Sequence, residues 1–524
     1  MSDTTVREAT FAALRDAGAT TVFGNPGSTE LPMFRDFPAD FRYVLGLQES
    51  AATAMADGWA QAAHRPAVVN LHSAAGVGHA MGALFTAFRN RSPLVVVAGQ
   101  QARSLLAGEP YLLSEQPEQL PAPYVKWSRE PARAQDVPAA IARACHLATA
   151  PPQGPVLVSV PADDWDRPAA LPDTRAVSTA VRGDPARLRA IGEALAAARR
   201  PAFVVGAAAD QERAIPAVRA LAESHRAAVW VAPMAGRCGF PERHPLFAGF
   251  LPPVRRQLAD HLAGHDLVLV FGAPVFTYHV EDEGPVLPPG TELVQITDDP
   301  RTAAWTPVGT ALVSGTGPAA RELLLFPPLR PRPEPPPRTR PERVAAAGGL
   351  TEEFLVQTLA DVRPPGCVLV EEAPGTRPVM CERLPNEGPE SFYTTGSGGL
   401  GFGLPAAVGI ALARPRERVL AVIGDGAAMY SIQALWTAVE LGVRLAVLVV
   451  NNGSYATVDR FARRFGVEKP PGTALPGLDF AALAAAQGCA AARVRDPGAL
   501  PAALRTALAA DGPHVLEVVV GALS

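Results

Sequence analysis

Residues 419–426 read Val-Leu-Ala-Val-Ile-Gly-Asp-Gly, and residues 445–455 read Leu-Ala-Val-Leu-Val-Val-Asn-Asn-Gly-Ser-Tyr. Each is an aliphatic run that breaks abruptly into a glycine-bearing turn, the form of a buried strand delivering polar residues at its carboxyl end. The 24 residues 427–450 lie between Gly426 and Asn451. That suffices for one crossover helix and a returning parallel strand, so the two turns should emerge side by side. Asp425, the Asn452 side chain and a nearby carbonyl then supply hard oxygen ligands of the kind Mg²⁺ takes, with phosphate oxygens and water completing the octahedron. Gly424 and Gly426 let the backbone approach that anion, and a helix expected from about Met429 would present free N–H groups to it. Either turn alone is ordinary; the pair at this spacing carries the reading.

Working outward, the same alternation of short Val/Leu/Ile runs with alanine-rich amphipathic stretches recurs along the whole chain. Strands are expected at Ala67–Leu71, Leu94–Ala98 and Val156–Val160, then at Ala202–Val205, Ala228–Val231, Leu267–Phe271 and Glu292–Ile296. Cys367–Val370, Val419–Ile423, Leu445–Val450 and His514–Val519 complete the set, and helices are expected at Val6–Ala17, Glu49–Ala62 and Val77–Phe88. Residues 327–341 contain eight prolines in fifteen positions, which suits an extended linker and neither helix nor central strand. A weaker break falls between Asp163 and Asp184. The fold class read from this pattern is α/β, with three doubly wound parallel-sheet domains at 1–170, 185–326 and 346–524, and a linker at 327–345.

Composition excludes other classes. The chain has 524 residues, 48% of them apolar and 19% charged, with a net charge of −4. This describes a folded multidomain protein without the basic excess of a nucleic-acid binder. No aliphatic run approaches the ~20 residues of a membrane span. Five cysteines without CxxC or Cys/His spacing support neither a disulfide framework nor a zinc site, so the cytoplasm is the expected compartment. Residues 396–401, Gly-Ser-Gly-Gly-Leu-Gly, match a dinucleotide fingerprint in form, but the segment before them, Ser391–Thr395, makes a poor strand.

The paired turns resemble the diphosphate and magnesium motif of the thiamin diphosphate enzymes. That resemblance implies a carboxylate on the cofactor's aminopyrimidine, and Glu49 stands where it should, at the start of an alanine-rich helix. Its implied task is to donate a proton to ring nitrogen N1′, which activates C2 of the thiazolium. A bland alternative is a glutamate placed favourably on a helix dipole.

Further stretches narrow the likeness: Phe23–Ser28 (FGNPGS), Asn70–Gly76 (NLHSAAG), Gly272–Phe276 followed by Tyr278-His279, and Leu435–Ala438 (LWTA) are similar to the benzoylformate decarboxylase family. By that resemblance Ser28 binds the substrate carboxylate or carbonyl, and His72 and His279 relay protons. Imidazole suits such a task because its ordinary pKa lies nearest neutrality. Ser28 also suits a helix cap, His72 a buried structural position and His279 a solvated loop. The other histidines, His79 among them, read as structural.

The resemblance further implies that Gly398 offers its carbonyl to the 4′-amino group and Leu400 wedges beneath the cofactor. Gly424, Asp425, Gly426, Asn452, Ser454 and Tyr455 would surround the diphosphate, and Asp425, Asn452 and the Ser454 carbonyl would hold Mg²⁺ or Ca²⁺. Two subunits would share each cofactor, giving a dimer or a dimer of dimers. Departures fall around the substrate. Ala373-Pro374-Gly375 replaces hydroxyl-bearing contacts, while Thr394 and Val458 stand where the family has an aromatic residue and a leucine; Phe461 keeps its aromatic ring. The expected reaction is non-oxidative decarboxylation of a 2-oxo acid, benzoylformate or a related aryl or branched acid. Carboligation by the same carbanion stays open, as does a catalytically silent binding subunit.

Overall fold

The computed structural model describes residues 4–173, 175–346 and 349–521. It contains three parallel sheets, each flanked by helices. In the first, β1 (Thr21–Gly24), β2 (Arg42–Leu45), β3 (Ala67–Leu71), β4 (Leu94–Gln100), β5 (Ser128–Arg129) and β6 (Val156–Pro161) lie in the order β2-β1-β3-β4-β6-β5. The second has β7 (Pro201–Val205), β8 (Ala228–Val231), β9 (Phe247–Phe250), β10 (Leu267–Phe271), β11 (Glu292–Thr297) and β12 (Thr310–Val313), ordered β12-β11-β10-β7-β8-β9. For the third sheet, β13 (Val368–Glu372) precedes a three-residue strand, β14 (Phe392–Thr394); β15 (Val419–Gly424), β16 (Leu445–Asn451), β17 (Ala490–Val494) and β18 (His514–Val519) follow, and β13-β15-β16-β18-β17 are successive neighbours.

The chain forms two compact units. One holds residues 1–178, 345–377 and 397–524, the other residues 179–344 and 378–396. The central strands of every sheet are buried on both faces, as their uninterrupted aliphatic sequences require. Each fully buried Val or Leu contributes about 1.5–3 kcal/mol relative to exposure. Among the described residues no helix is long and apolar enough to cross a membrane.

Within the first unit, the helix Glu49–Ala63 crosses the helix Gly403–Ala413 at close range. A Cβ at Gly58 would come within 2.3 Å of the Ala406 carbonyl oxygen, and one at Gly409 within 2.0 Å of that of Met55. Glycine at both crossing points is therefore a packing requirement, and it locks together the two helices that lead from Glu49 and from the Leu400 loop.

Several boundaries differ from the sequence reading for identifiable reasons. The expected helix at Val77 begins at Ser73, which makes His72 its N-cap residue. The helix expected near Met429 instead starts at Asp425 and spans only Asp425–Ala428, with Met429 as its C-cap; the Asp425 side chain turns back onto the Gly426 N–H. Strand β13 runs on through Glu371 and Glu372, where the aliphatic pattern had suggested an end at Val370, because both acids find donors. Residues 391–395, a poor strand by sequence, do contain β14.

The proline-rich segment has no helix or strand from 327 to 346. It is nevertheless tied to the second unit by Arg332. This buried guanidinium donates to the carbonyls of Ala198 (2.9 Å), Leu195 (2.5 Å) and Ala196 (3.1 Å), and lies 2.7 Å from His225 Nδ1.

Candidate active site

Strands β15 and β16 pair in parallel with Gly424 opposite Val450, so the turns that follow them leave the sheet together. Asp425 is buried, and its Oδ1 accepts the Gly426 N–H (2.7 Å). Its Oδ2 accepts the N–H groups of Asn452 (3.1 Å) and Gly453 (2.8 Å) across the gap between the two strands. Asn452 Oδ1 accepts the Ser454 N–H at 3.1 Å. The neighbouring amide plays a different part: Asn451 Nδ2 donates to the fully buried Glu517 (2.7 Å), fixing the turn from behind.

Burial raises the Asp425 carboxyl above the usual carboxylate range, and only backbone N–H groups oppose the shift. A buried acid held by amides and by no side-chain cation suits a bound divalent ion. The oxygen donor set of Asp425, Asn452 and the Ser454 carbonyl is of the hard type that Mg²⁺ or Ca²⁺ takes. Among the described residues no cluster of three or more His, Cys, Asp or Glu could hold a metal, so the donor set here rests on one carboxylate with an amide and a carbonyl oxygen. Gly426 has a steric reason as well, since a Cβ there would lie 2.3 Å from the Tyr455 ring.

A second element is the loop 397–403. Gly398 has φ +77° and Gly401 φ +97°, left-handed backbone that favours glycine. The loop is held by Glu372, fully buried at the end of β13, whose carboxylate accepts the N–H groups of Gly401 (2.6 Å) and Gly403 (2.7 Å). Burial pushes Glu372 up to about 8 despite these donors. The half-buried Leu400 is thus carried on a short loop pinned immediately beyond it. On its other side, Ser397 Oγ meets Thr86 Oγ1 at 2.8 Å. The sequence pattern, which ends the strand at Val370, does not reveal Glu372; its anchoring role depends on a contact 29 residues away.

The third element gathers at the ends of β1 and β3. His72 Nδ1 lies 3.0 Å from Glu30 Oε2 and 3.0 Å from Thr29 Oγ1, with Glu30 only 2% exposed. Glu30 also accepts the Gly27 N–H at 2.8 Å. A Cβ on Gly27 would sit 2.3 Å from His72 Nδ1, so the imidazole lies flat against bare backbone one residue from Ser28. Ser28 is exposed and is not the cap of the following helix, Leu31–Phe34, whose N-cap is Glu30. The partners of His72 are side chains, which sets it apart from a structural histidine satisfied by backbone. Sequence reasoning missed Glu30, which stands two positions beyond the quoted FGNPGS stretch.

Glu49 opens its helix, where Gln48 Oε1 caps the N–H groups of Ser50 (2.7 Å) and Ala51 (3.2 Å). It approaches the His72 region through Gly76, whose ideal Cβ would lie 3.5 Å from His72 Cβ and 3.6 Å from Glu49 Cγ. The first unit therefore brings Glu49 and His72 to the same glycine.

The remaining sequence candidates are distributed differently. Val458 and Phe461 lie on the helix Ala456–Ala462 of the first unit, Val458 exposed and Phe461 half-buried. A latch holds this helix, with Arg460 Nη2 donating to the Gly375 carbonyl at 2.8 Å. His279 and Thr394 belong to the second unit. His279 is exposed at a cavity of about 450 Å³, beside Tyr278, Arg255 and the acids 281–283, and its N–H donates to the Pro253 carbonyl at 3.0 Å. Thr394 is buried, its N–H bonded to the Gly236 carbonyl at 2.9 Å.

Comparison with known proteins gives the family. The N-terminal TPP binding domain model of the thiamine pyrophosphate enzymes matches residues 4–120, the central domain model residues 188–323, and the C-terminal TPP binding domain model residues 375–518. The chain is 46% identical to the benzoylformate decarboxylase of Pseudomonas aeruginosa over 98% of both sequences. It superposes on the thiamine diphosphate-dependent 4-hydroxybenzoylformate decarboxylase of Rhodococcus jostii RHA1 with a TM-score of 0.96 at 41% identity, covering 99% of this chain and 100% of that one. More distantly, it shares 26% identity with the acetolactate synthase isozyme 2 large subunit of Escherichia coli, over 97% of this chain and 94% of that one. The chain belongs to the thiamine pyrophosphate enzymes, and within them it groups with the benzoylformate decarboxylases.

Proposed function

We propose that the protein is a thiamin diphosphate- and Mg²⁺-dependent carboxy-lyase that converts benzoylformate, or a related aryl or branched 2-oxo acid, to an aldehyde and CO₂. The observation that carries this reading is the buried Asp425, bridged by backbone to the Asn452 turn and, among the described residues, without a side-chain counter-ion. Likeness to decarboxylases at 46% and 41% identity supports the substrate class.

Bound thiamin diphosphate supplies the nucleophilic carbon and the electron sink for cleavage of the bond to the carboxylate. The chain's own groups do the rest. Asp425, Asn452 and the Ser454 carbonyl hold the metal, while Gly424, Gly426 and Tyr455 shape the space for the diphosphate. Gly398 and Leu400 orient the rings, and Glu372 keeps their loop in place. Glu49 holds a proton at the pyrimidine nitrogen N1′. Ser28 binds the substrate carboxylate or carbonyl by hydrogen bond. His72, oriented by Glu30, moves protons at the substrate oxygen and at the carbon left by CO₂, with His279 as the second proton carrier. Thr394, Val458 and Phe461 are assigned to the substrate side, where the first two, smaller than the aromatic residue and leucine they replace, make the pocket more polar or differently shaped than a phenyl-fitted one. The active assembly is a homodimer or a dimer of dimers, with each cofactor shared by two chains, and the enzyme works in the cytoplasm.

A CO₂-release screen over aryl, branched and short linear 2-oxo acids, with cofactor and Mg²⁺ present or withheld, tests the proposal. Release must depend on both additions and favour aryl or branched acids; release of equal rate without them contradicts it. Likeness to acetolactate synthase favours one second reading, carboligation by the same intermediate. Product analysis with 2-oxo acid alone and then with added aldehyde separates the two.

A further inference from the structure

The helix Ser73–Asn90 carries a second histidine, seven residues after His72 and therefore on nearly the same helical face, two turns farther along. Its Nδ1 lies 3.1 Å from Glu49 Oε2. The Glu49 side chain is 13% exposed and that of His79 63%, so the contact runs from a sheltered carboxyl outward to an accessible imidazole. Glu49 passes beside Gly76 on the way, its Cγ 3.6 Å from where a Cβ would stand, an ordinary contact distance.

We propose that His79 is a positioning residue for Glu49, fixing which carboxyl oxygen faces the cofactor's pyrimidine; this rests on the role assigned to Glu49 above. A carboxyl group offers two equivalent oxygens and rotates freely when neither is held. An N–H donated by His79 to Oε2 ends that equivalence. It fixes the plane of the carboxyl and favours protonation at Oε1, the oxygen left to meet N1′. Because His79 is largely exposed, its removal takes nothing from the core and should leave the fold unchanged.

The test uses the assembled holoenzyme of wild type, His79→Ala, His79→Gln and Glu49→Gln. The rate at which the C2 proton of bound thiamin diphosphate exchanges with D₂O is measured by quench and NMR, with cofactor affinity measured by fluorescence titration. His79→Ala should slow exchange about tenfold, the rate equivalent of one hydrogen bond to a charged group, while cofactor affinity stays within about twofold. His79→Gln, which keeps an N–H donor, should recover most of the rate. Exchange in His79→Ala within about twofold of wild type, or equal slowing in the Ala and Gln variants, overturns the proposal. Glu49→Gln separates the two levels: it should slow exchange by about 100-fold or more. Wild-type exchange there would remove the role of Glu49 itself, whereas a slow Glu49→Gln beside a normal His79→Ala would remove only that of His79.

Discussion

The turns after β15 and β16 and the cluster around His72 lie in the same compact unit and are built in opposite ways. The first is almost entirely local: Asp425, Asn452 and their glycines follow directly from two strand ends, and backbone N–H groups bind the acid. The second is assembled from side chains far apart in sequence, Glu30 reaching His72 across 42 residues and Glu49 reaching His79 across 30. An anchoring site for a charged, rigid ligand can be made from backbone. Proton transfer needs titratable groups held at chosen atoms, which only side chains supply.

This contrast predicts a graded response to substitution. Asp425→Ala removes the acid that ties the two turns together and should lower turnover by about 1000-fold or more, read in a CO₂-release assay. Glu49→Gln should lower it by about 100-fold or more while cofactor stays bound, read by turnover together with a binding titration. Glu30→Gln keeps the shape of the side chain but loses the charge beside His72; kcat should fall about tenfold with little change in KM. Gly27→Ala places a methyl where the imidazole lies and should reduce kcat by about fivefold, with thermal stability retained because Gly27 is only half-buried. If Gly27→Ala proved as damaging as Asp425→Ala, the division between a backbone-built anchor and a side-chain acid–base cluster would fail.

The smallest effect lies outside this unit. Burial, reinforced by the Arg332 guanidinium, lowers His225 to about 4. Its folded value lies below the ordinary imidazole value, so its contribution to stability is fully present above about pH 6.5 and declines as pH falls towards 4. Melting curves should show the second unit losing stability over that window. Replacing His225 with a neutral residue such as Gln should flatten the slope.

Legibility in the sequence followed the same division. The β15 and β16 turns could be read because each side chain is announced by its own strand, and buried parallel strands have a distinctive aliphatic pattern. The short or edge strands β1, β2, β5, β9, β12 and β17 carry no such run and went unread. Glu371 and Glu372 hid the end of β13, since a buried acid looks like a strand terminus until its donors are known, and those of Glu372 come from residues 401–403. Glu30 went unread and His79 read as structural for a related reason: what each touches is decided by packing, with no local pattern to mark it. Arg332 likewise turns a proline-rich stretch from a simple spacer into a strap on the second unit.

The most direct test of the central claim is a calorimetric titration of the purified protein with thiamin diphosphate, with Mg²⁺ present and after chelation. Saturable binding that requires the metal, and that Ca²⁺ can restore, is the expected result. Equal binding with and without a divalent ion, or none in either case, would contradict the assignment of the Asp425 and Asn452 turns as the anchor for metal and diphosphate.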